Sequence, residues 1–309
     1  MVPDLVNNAR RPVPAVSEPR GWQAELHLRF NRDGGPTRLV ERRHKGPLVV
    51  QRPFHPEGVD AGKPCHVYLV HPPGGVVGGD ELRIDVQVDR NAHALITTPA
   101  ATKFYRCEGR VSSQTQELRA VGATLEWLPQ ENIFYRAADT RTATRVNIDE
   151  DSRFIGWEIN CLGLPARGEA FDAGLLKLDL ELWRSAKDAP MALPGQTLPH
   201  PVSHSNPVFI DRLRLSGESS ARGARWGLAG HEAVGTMLAT PATRDHVTAV
   251  RELLADHPCA AVSLVDGVLV LRALAAQAEP LRHLFIAAWR VLRPGIIGRD
   301  AVPPRIWST

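Results

Sequence analysis

Between Gly21 and Trp183 the chain repeats short runs in which apolar and polar side chains alternate, and apolar residues never recur at helical spacing. Ala24, Leu26, Leu28 and Phe30, set against Glu25, His27 and Arg29, are the first such run. Further strands are expected at residues 48–51, 65–70, 81–89, 92–98, 111–119, 124–128, 140–148, 154–162 and 175–183, with Gly, Pro, Asn and Asp at the connections. So many strands without an amphipathic helix between them exclude a doubly wound α/β sheet and leave a mainly β, layered or coiled architecture.

The C-terminal third changes period. Thr243 or Asp245 caps a helix over residues 243–255 whose Val247, Val250, Leu253 and Leu254 share a face, and His257-Pro258 ends it. Asp266-Gly267 between two apolar runs is a hairpin signal of type I′. A second helix is expected over residues 280–292, with Leu281, Leu284, Phe285, Ala288 and Leu292 buried and Arg293-Pro294-Gly295 as its stop. Residues 243–295 thus form two α-helices flanking a β-hairpin, packed on a β-rich unit that spans residues 21–309. Residues 1–20 read as a flexible leader, and the proline-rich stretch from Ser185 to Asn206 reads as a long loop or linker.

His71-Pro-Pro-Gly-Gly-Val-Val-Gly-Gly-Asp80 joins two of the strands. Gly74, Gly75, Gly78 and Gly79 fix backbone geometry tightly, and a carboxylate closes the motif. A phosphate-binding P-loop needs Gly-Lys-Ser/Thr opening a helix, whereas here Asp80 and Glu81 lead into a strand. A hairpin loop explains Gly74 and Gly75 but gives Asp80 no task.

Composition narrows the function classes. With 37 basic and 34 acidic residues the net charge of +3 is too near balance for nucleic acid as the main partner. The basic run from Arg38 to Lys45 is explained equally well by a charged strand edge and by a binding patch. No apolar run approaches the roughly 18 residues of a membrane span, and the N-terminus has no signal-peptide core, so a cytoplasmic protein without membrane contact is expected. Cys65, Cys107, Cys161 and Cys259 lie far apart, as separate buried or half-buried thiols rather than a zinc or disulfide framework. The twelve histidines are scattered; His200 and His204, the nearest pair, fall in the proline-rich stretch. No G-x-S-x-G elbow or H-E-x-x-H motif occurs. Glu126 and Glu131, on either side of a proline turn, are the one carboxylate pair that a glycoside hydrolase or β-rich carbohydrate-binding module would use. Lys103, Phe104, Tyr105 and Arg106 concentrate two rings and two cations after a strand and are partner-binding candidates, with packing of the rings on the sheet as the alternative.

Four motifs in order, Gly46-Pro-Leu-Val-Val-Gln-Arg-Pro-Phe54, the glycine loop ending at Asp80, Thr97-Thr-Pro-Ala-Ala-Thr-Lys-Phe-Tyr-Arg106 and Leu125-Glu-Trp-Leu-Pro-Gln-Glu131, resemble the urease accessory protein UreD family, called UreH in some systems. The likeness continues through Gly156-Trp-Glu158, Cys161-Leu-Gly163, Pro165-Ala166 and Gly168-Glu169 to Pro304-Arg-Ile-Trp-Ser-Thr309. Leu164 stands where the family usually has arginine, so any ion pair or partner contact of that guanidinium is not expected here. The resemblance implies a β-helix-like coil and a non-enzymatic maturation factor, a nickel-insertion chaperone. It would bind urease apoprotein and UreF and, through UreF, the GTPase UreG. Nickel(II) would pass transiently, with no tightly bound cofactor, and the resemblance implicates Asp80 and Asp211. Glu169 is added as a third acidic candidate near the same motifs.

Overall fold

The computed structural model describes residues 21–185 and 205–308, so the expected leader, most of the expected linker, and His200 and His204 lie outside the described residues. The chain winds between two sheets, laying one strand in each per turn. β1 (Gln23–Asn31) enters a seven-stranded sheet and doubles back as β2 (Arg38–Lys45), its edge. β3 (Val49–Val50) and β4 (Cys65–Val70) cross to a ten-stranded sheet, and β5 (Glu81–Val88) returns. The alternation continues with β6 (His93–Thr97), a short third-side strand β7 (Thr102–Phe104), β8 (Ser112–Ala120), β9 (Thr124–Leu128), a second third-side strand β10 (Asn132–Phe134), β11 (Ala138–Ile148), β12 (Arg153–Leu162) and β13 (Gly174–Ser185). The chain closes antiparallel, with β14 (Ser205–Ser216) on β13 and β15 (Ala233–Thr240) on β12.

Neighbouring turns of the coil pair in parallel, so equivalent positions stack in rows. One inward row runs Leu26, Ile84, Gln116, Thr144, Leu180 and the next Leu28, Val86, Leu118, Val146, Leu182. Outward positions carry charged pairs instead, Arg83 with Asp85 along β5 at 2.8 Å and Arg145 with Glu181 between β11 and β13 at 3.1 Å. On the third side, Val76 of the glycine loop bridges Phe104, Phe104 pairs Phe134, and Phe134 pairs Leu162, all fully buried. The Phe104 and Phe134 rings stack at 4.9 Å. The glycine loop is therefore an arch between two sheets, not a hairpin within one.

The C-terminal elements cover the outer face of the ten-stranded sheet. α1 (Arg244–Leu253) starts at Thr243, whose backbone N–H donates to His246 Nδ1 at 3.0 Å. β16 (Ala260–Val265) and β17 (Val268–Ala275) turn at Asp266 and Gly267, both in the left-handed region as a type I′ turn requires. α2 (Ala278–Ile297) packs Leu281, Leu284, Phe285, Ala288, Trp289 and Leu292 against the sheet. The expected stop at Arg293-Pro294-Gly295 is corrected. The helix runs through Pro294 to Gly298, whose left-handed φ of 76° ends it with an N–H bond to the Pro294 carbonyl.

Arg293 stands just before the proline inside α2. It is fully buried, and its guanidinium meets Glu126 of β9 at 3.0 Å and Glu57 at 2.6 Å, and donates to the Asp300 carbonyl. Trp289 Nε1 donates to Glu126 at 2.6 Å, and His93 Nε2 lies 2.7 Å from it. Burial opposes ionisation of Glu126, but hydrogen bonds from His93 and Arg293 outweigh it and hold its pKa at about 2. Burial keeps His93 below its usual range, so its neutral ring donates to the carboxylate.

Removing one partner from such a cluster strands buried charge, so Arg293→Ala should cost roughly 3–5 kcal/mol in a urea melt, with Glu126→Gln in the same background recovering part of it. Because the folded pKa of Glu126 lies below the unfolded one, its stabilisation is complete above pH of about 4.5 and fades as pH falls toward 2. Acid titration of the melt should follow that window in the wild type and flatten in Glu126→Gln.

Candidate functional site

In-register stacking places polar residues together between the sheets. β8 turns Ser112, Gln114 and Gln116 inward, and β11 turns Thr140, Thr142 and Thr144 inward, all buried. Facing them, β12 presents Glu158 and Asn160, while Ile155, Trp157 and Ile159 of the same strand point to α2. Thr144 Oγ1 donates to the Glu158 carboxylate, and Asn132 Nδ2 donates to Asn160 at 3.0 Å. Among the described residues, buried Gln116 Oε1, Thr142 Oγ1 and Trp127 Nε1 find no hydrogen-bond partner, which marks this interior as a place for water.

Two cavities occupy it. The first, about 190 Å³, lies under the glycine loop and is lined by His71, Gly75, Lys103, Gln116, Trp127 and Glu158 among others. The second, about 490 Å³, opens at the far end between β14 and β16, lined by Glu158, Asn160, Asp211, Arg272, Trp226 and Cys259 among others. Glu158 lines both. Burial raises its pKa to about 7; hydrogen bonds from Thr144 and Asn160 oppose the rise and the Asp211 charge adds to it. Burial also lowers the pKa of His71, partly offset by the Asp80 charge, so its ring is neutral at pH 7.

The expected site residues fall in different places. Asp211 lines the second cavity, paired with Arg272 at 2.7 Å. Asp80 lines neither of these two cavities: it is buried, its Oδ1 accepts the Trp22 N–H at 2.8 Å and its Oδ2 accepts the Val77 N–H at 2.9 Å. Its carboxylate closes the glycine loop and ties it to the first strand. Glu169 is exposed and pairs with Arg167 at 3.1 Å, away from both cavities. Gly74 and Gly75 line the first cavity, and Gly78 and Gly79 carry the loop past Arg110. A Cβ on Gly75 would fall 2.1 Å from the Tyr105 ring, so a side chain there would have to displace that ring.

Of the four partner-binding candidates, Phe104 is core and offers no surface, Lys103 lines the first cavity, Tyr105 lies against the glycine loop and Tyr135, and Arg106 is exposed beside Glu108. Glu126 is sealed and ionised, so it cannot be the proton donor of a glycoside hydrolase. Cys65 and Cys161 are buried thiols pushed up to about 12 and about 11 by burial, whereas Cys259 is exposed at the second cavity, contrary to the expectation of buried or half-buried thiols throughout. Sequence reading missed Glu158 as a site residue. The signal was there in a lone carboxylate within the apolar run Phe154-Ile-Gly-Trp-Glu-Ile. Among the described residues no three His, Cys, Asp or Glu side chains are placed to hold a metal ion together.

The fold and site define a coiled β protein with a polar, water-holding interior that opens beside an acidic group. Residues 23–308 match the family model described as UreD urease accessory protein, and the chain belongs to that family. It is 42% identical over 293 residues to the urease accessory protein UreD of Alkalilimnicola ehrlichii, covering 94% of this chain and 92% of the relative. It is likewise 42% identical to that of Pseudomonas putida strain W619, covering 94% and 95%, and 38% identical to that of Alcanivorax borkumensis, covering 96% and 95%. No helix of the described residues is long and apolar enough to cross a membrane.

The raised pKa of Glu158 makes a signed prediction. Between pH of about 4.5 and 7 the folded state holds a proton that the unfolded state has released, so its contribution to stability falls as pH rises through that window. Glu158→Gln should therefore be more stable than wild type at pH 8 by roughly 2–3 kcal/mol and nearly equal to it at pH 4.5, read from urea melts at both values.

Proposed function

We propose that this chain is a non-catalytic maturation factor that scaffolds urease apoprotein with UreF and, through UreF, the GTPase UreG, and that nickel(II) reaches urease through the interior of the coil. The single observation that supports the conduit is that Glu158 belongs to the walls of both cavities, which favours reading the space from His71 to Asp211 as a passage with a carboxyl group midway. Amide and hydroxyl walls hold a divalent cation weakly, which suits transfer rather than storage. Family membership supports the role in urease maturation. In this reading Glu158 and Asp211 are the carboxylates of the passage. Asp80 sets the arch above it, and Glu169 lies outside it.

The test is the nickel content of urease matured with each variant at matched yield of the accessory complex. Glu158→Gln and Asp211→Asn should assemble normally and load less nickel, most visibly when nickel is limiting. Asp80→Asn loses one of its two amide-accepting oxygens, about 1 kcal/mol of stability, and should load normally once assembled. Wild-type loading with both Glu158→Gln and Asp211→Asn would overturn the conduit.

A further inference from the structure

Among the described residues, β2 and β14 edge the seven-stranded sheet and β3 and β16 the ten-stranded one, and three of these four edges are guarded against pairing with another chain. β2 carries Arg38, Arg42, Arg43 and Lys45 and takes a register shift opposite Arg29 and Phe30. β14 carries Pro207, Asp211, Arg212 and Arg214 and takes a shift opposite Leu182 and Trp183. β3 is two residues long. β16 has none of these devices. Ala260-Ala-Val-Ser-Leu-Val265 holds no charge and no proline, pairs β17 without a shift, and leaves Leu264 and Val265 36% and 44% exposed.

The Leu274 N–H donates to the Cys259 carbonyl, so by alternation Ala261, Ser263 and Val265 bond β17, while the main-chain groups of Val262 and Leu264 point away from it. Those are the groups that an added strand takes. We propose that β16 pairs with β16 of a second copy of this chain, antiparallel about a two-fold axis at Ser263. An axis perpendicular to the sheet keeps the helices of both copies on one side. It sets Val262 opposite Leu264 of the other copy on that side, and Ala261 opposite Val265 on the inner side. The strand matches itself: no pair brings like charges together, small Ala261 faces branched Val265, and serine meets serine. An uncharged edge offers a charged segment nothing to pair with. Ala261 also belongs to the wall of the second cavity, so Val265 of the other copy extends that wall, and the two cavities lie on either side of the axis.

Sedimentation of the full chain over a concentration series should show a monomer–dimer equilibrium, with exchange of the Val262 and Leu264 amides slowing as dimer forms. Leu264→Lys gives this edge the kind of charge that guards β2. Its exposed position leaves the fold intact, checked by circular dichroism, and the variant should sediment as a monomer throughout. Ser263 would form a non-hydrogen-bonded pair across the axis, with Cα atoms about 4.5 Å apart, within disulfide reach. In a Cys259→Ser background, Ser263→Cys should therefore oxidise to a covalent dimer. A wild-type chain that stays monomeric at every concentration would overturn the inference, whether or not those amides are protected. A dimer that Leu264→Lys leaves intact and Ser263→Cys does not lock would place the contact elsewhere and overturn it as well.

Discussion

Everything in this molecule depends on parallel pairing in register between successive turns of the coil. Once β1, β5, β8, β11 and β13 stack without a shift, the side chain at each position has only the equivalent positions above and below it as neighbours in its row. A row is then apolar or polar as a run of residues, not one at a time. Leu28, Val86, Leu118, Val146 and Leu182 make a continuous apolar row. Two positions earlier, Gln116 and Thr144 interrupt the row, and the same happens with Gln114 and Thr142 in the row before it. A polar patch beside a dry core needs no special device beyond that substitution in two middle strands.

Two buried carboxylates show how much local company decides. Glu126 and Glu158 are both removed from solvent on neighbouring strands of one sheet. Glu126 faces the helices, where Arg293 and the donors around it keep it ionised. Glu158 faces the interior, where hydroxyl and amide groups solvate it but no cation neutralises it, and it keeps its proton to about pH 7. The first holds the structure shut. The second is the adjustable charge in its interior.

Much of this was legible in the sequence, because alternation with period two needs only local information. Most strands of the coil, the Asp266-Gly267 hairpin and both C-terminal helices were expected near their observed positions, while the short β7 was not expected and β2 was only one of two readings of its basic run. β14 and β15 were not expected either, since Ser205–Ser216 carries charges on a half-exposed edge and Ala233–Thr240 is buried along nearly its whole length with threonines among apolar residues, so neither alternates cleanly. The end of α2 was misread because a proline and a glycine outweigh an arginine in any local rule, whereas the arginine's partners lie far away in sequence. The site was less legible for the same reason. Asp80 stands out as a motif residue, yet what it contacts is the backbone of Trp22 and Val77. Glu158 belongs to the Gly156-Trp-Glu158 motif, yet its place in the interior shows only when β11 and β12 are laid face to face.

The bond between Arg293 and Glu126 spans 167 residues, and that separation matters during synthesis. The ribosome finishes β9 long before it makes α2, so while the rest of the sheet is still being made the outer side of β9 stays uncovered and Glu126 lacks its Arg293 partner. Until the last helix emerges, the nascent chain is a sticky half-product whose outer face resembles an open protein interface. The order in which the chain is made thus leaves to its final helix the covering of the sheet's outer face.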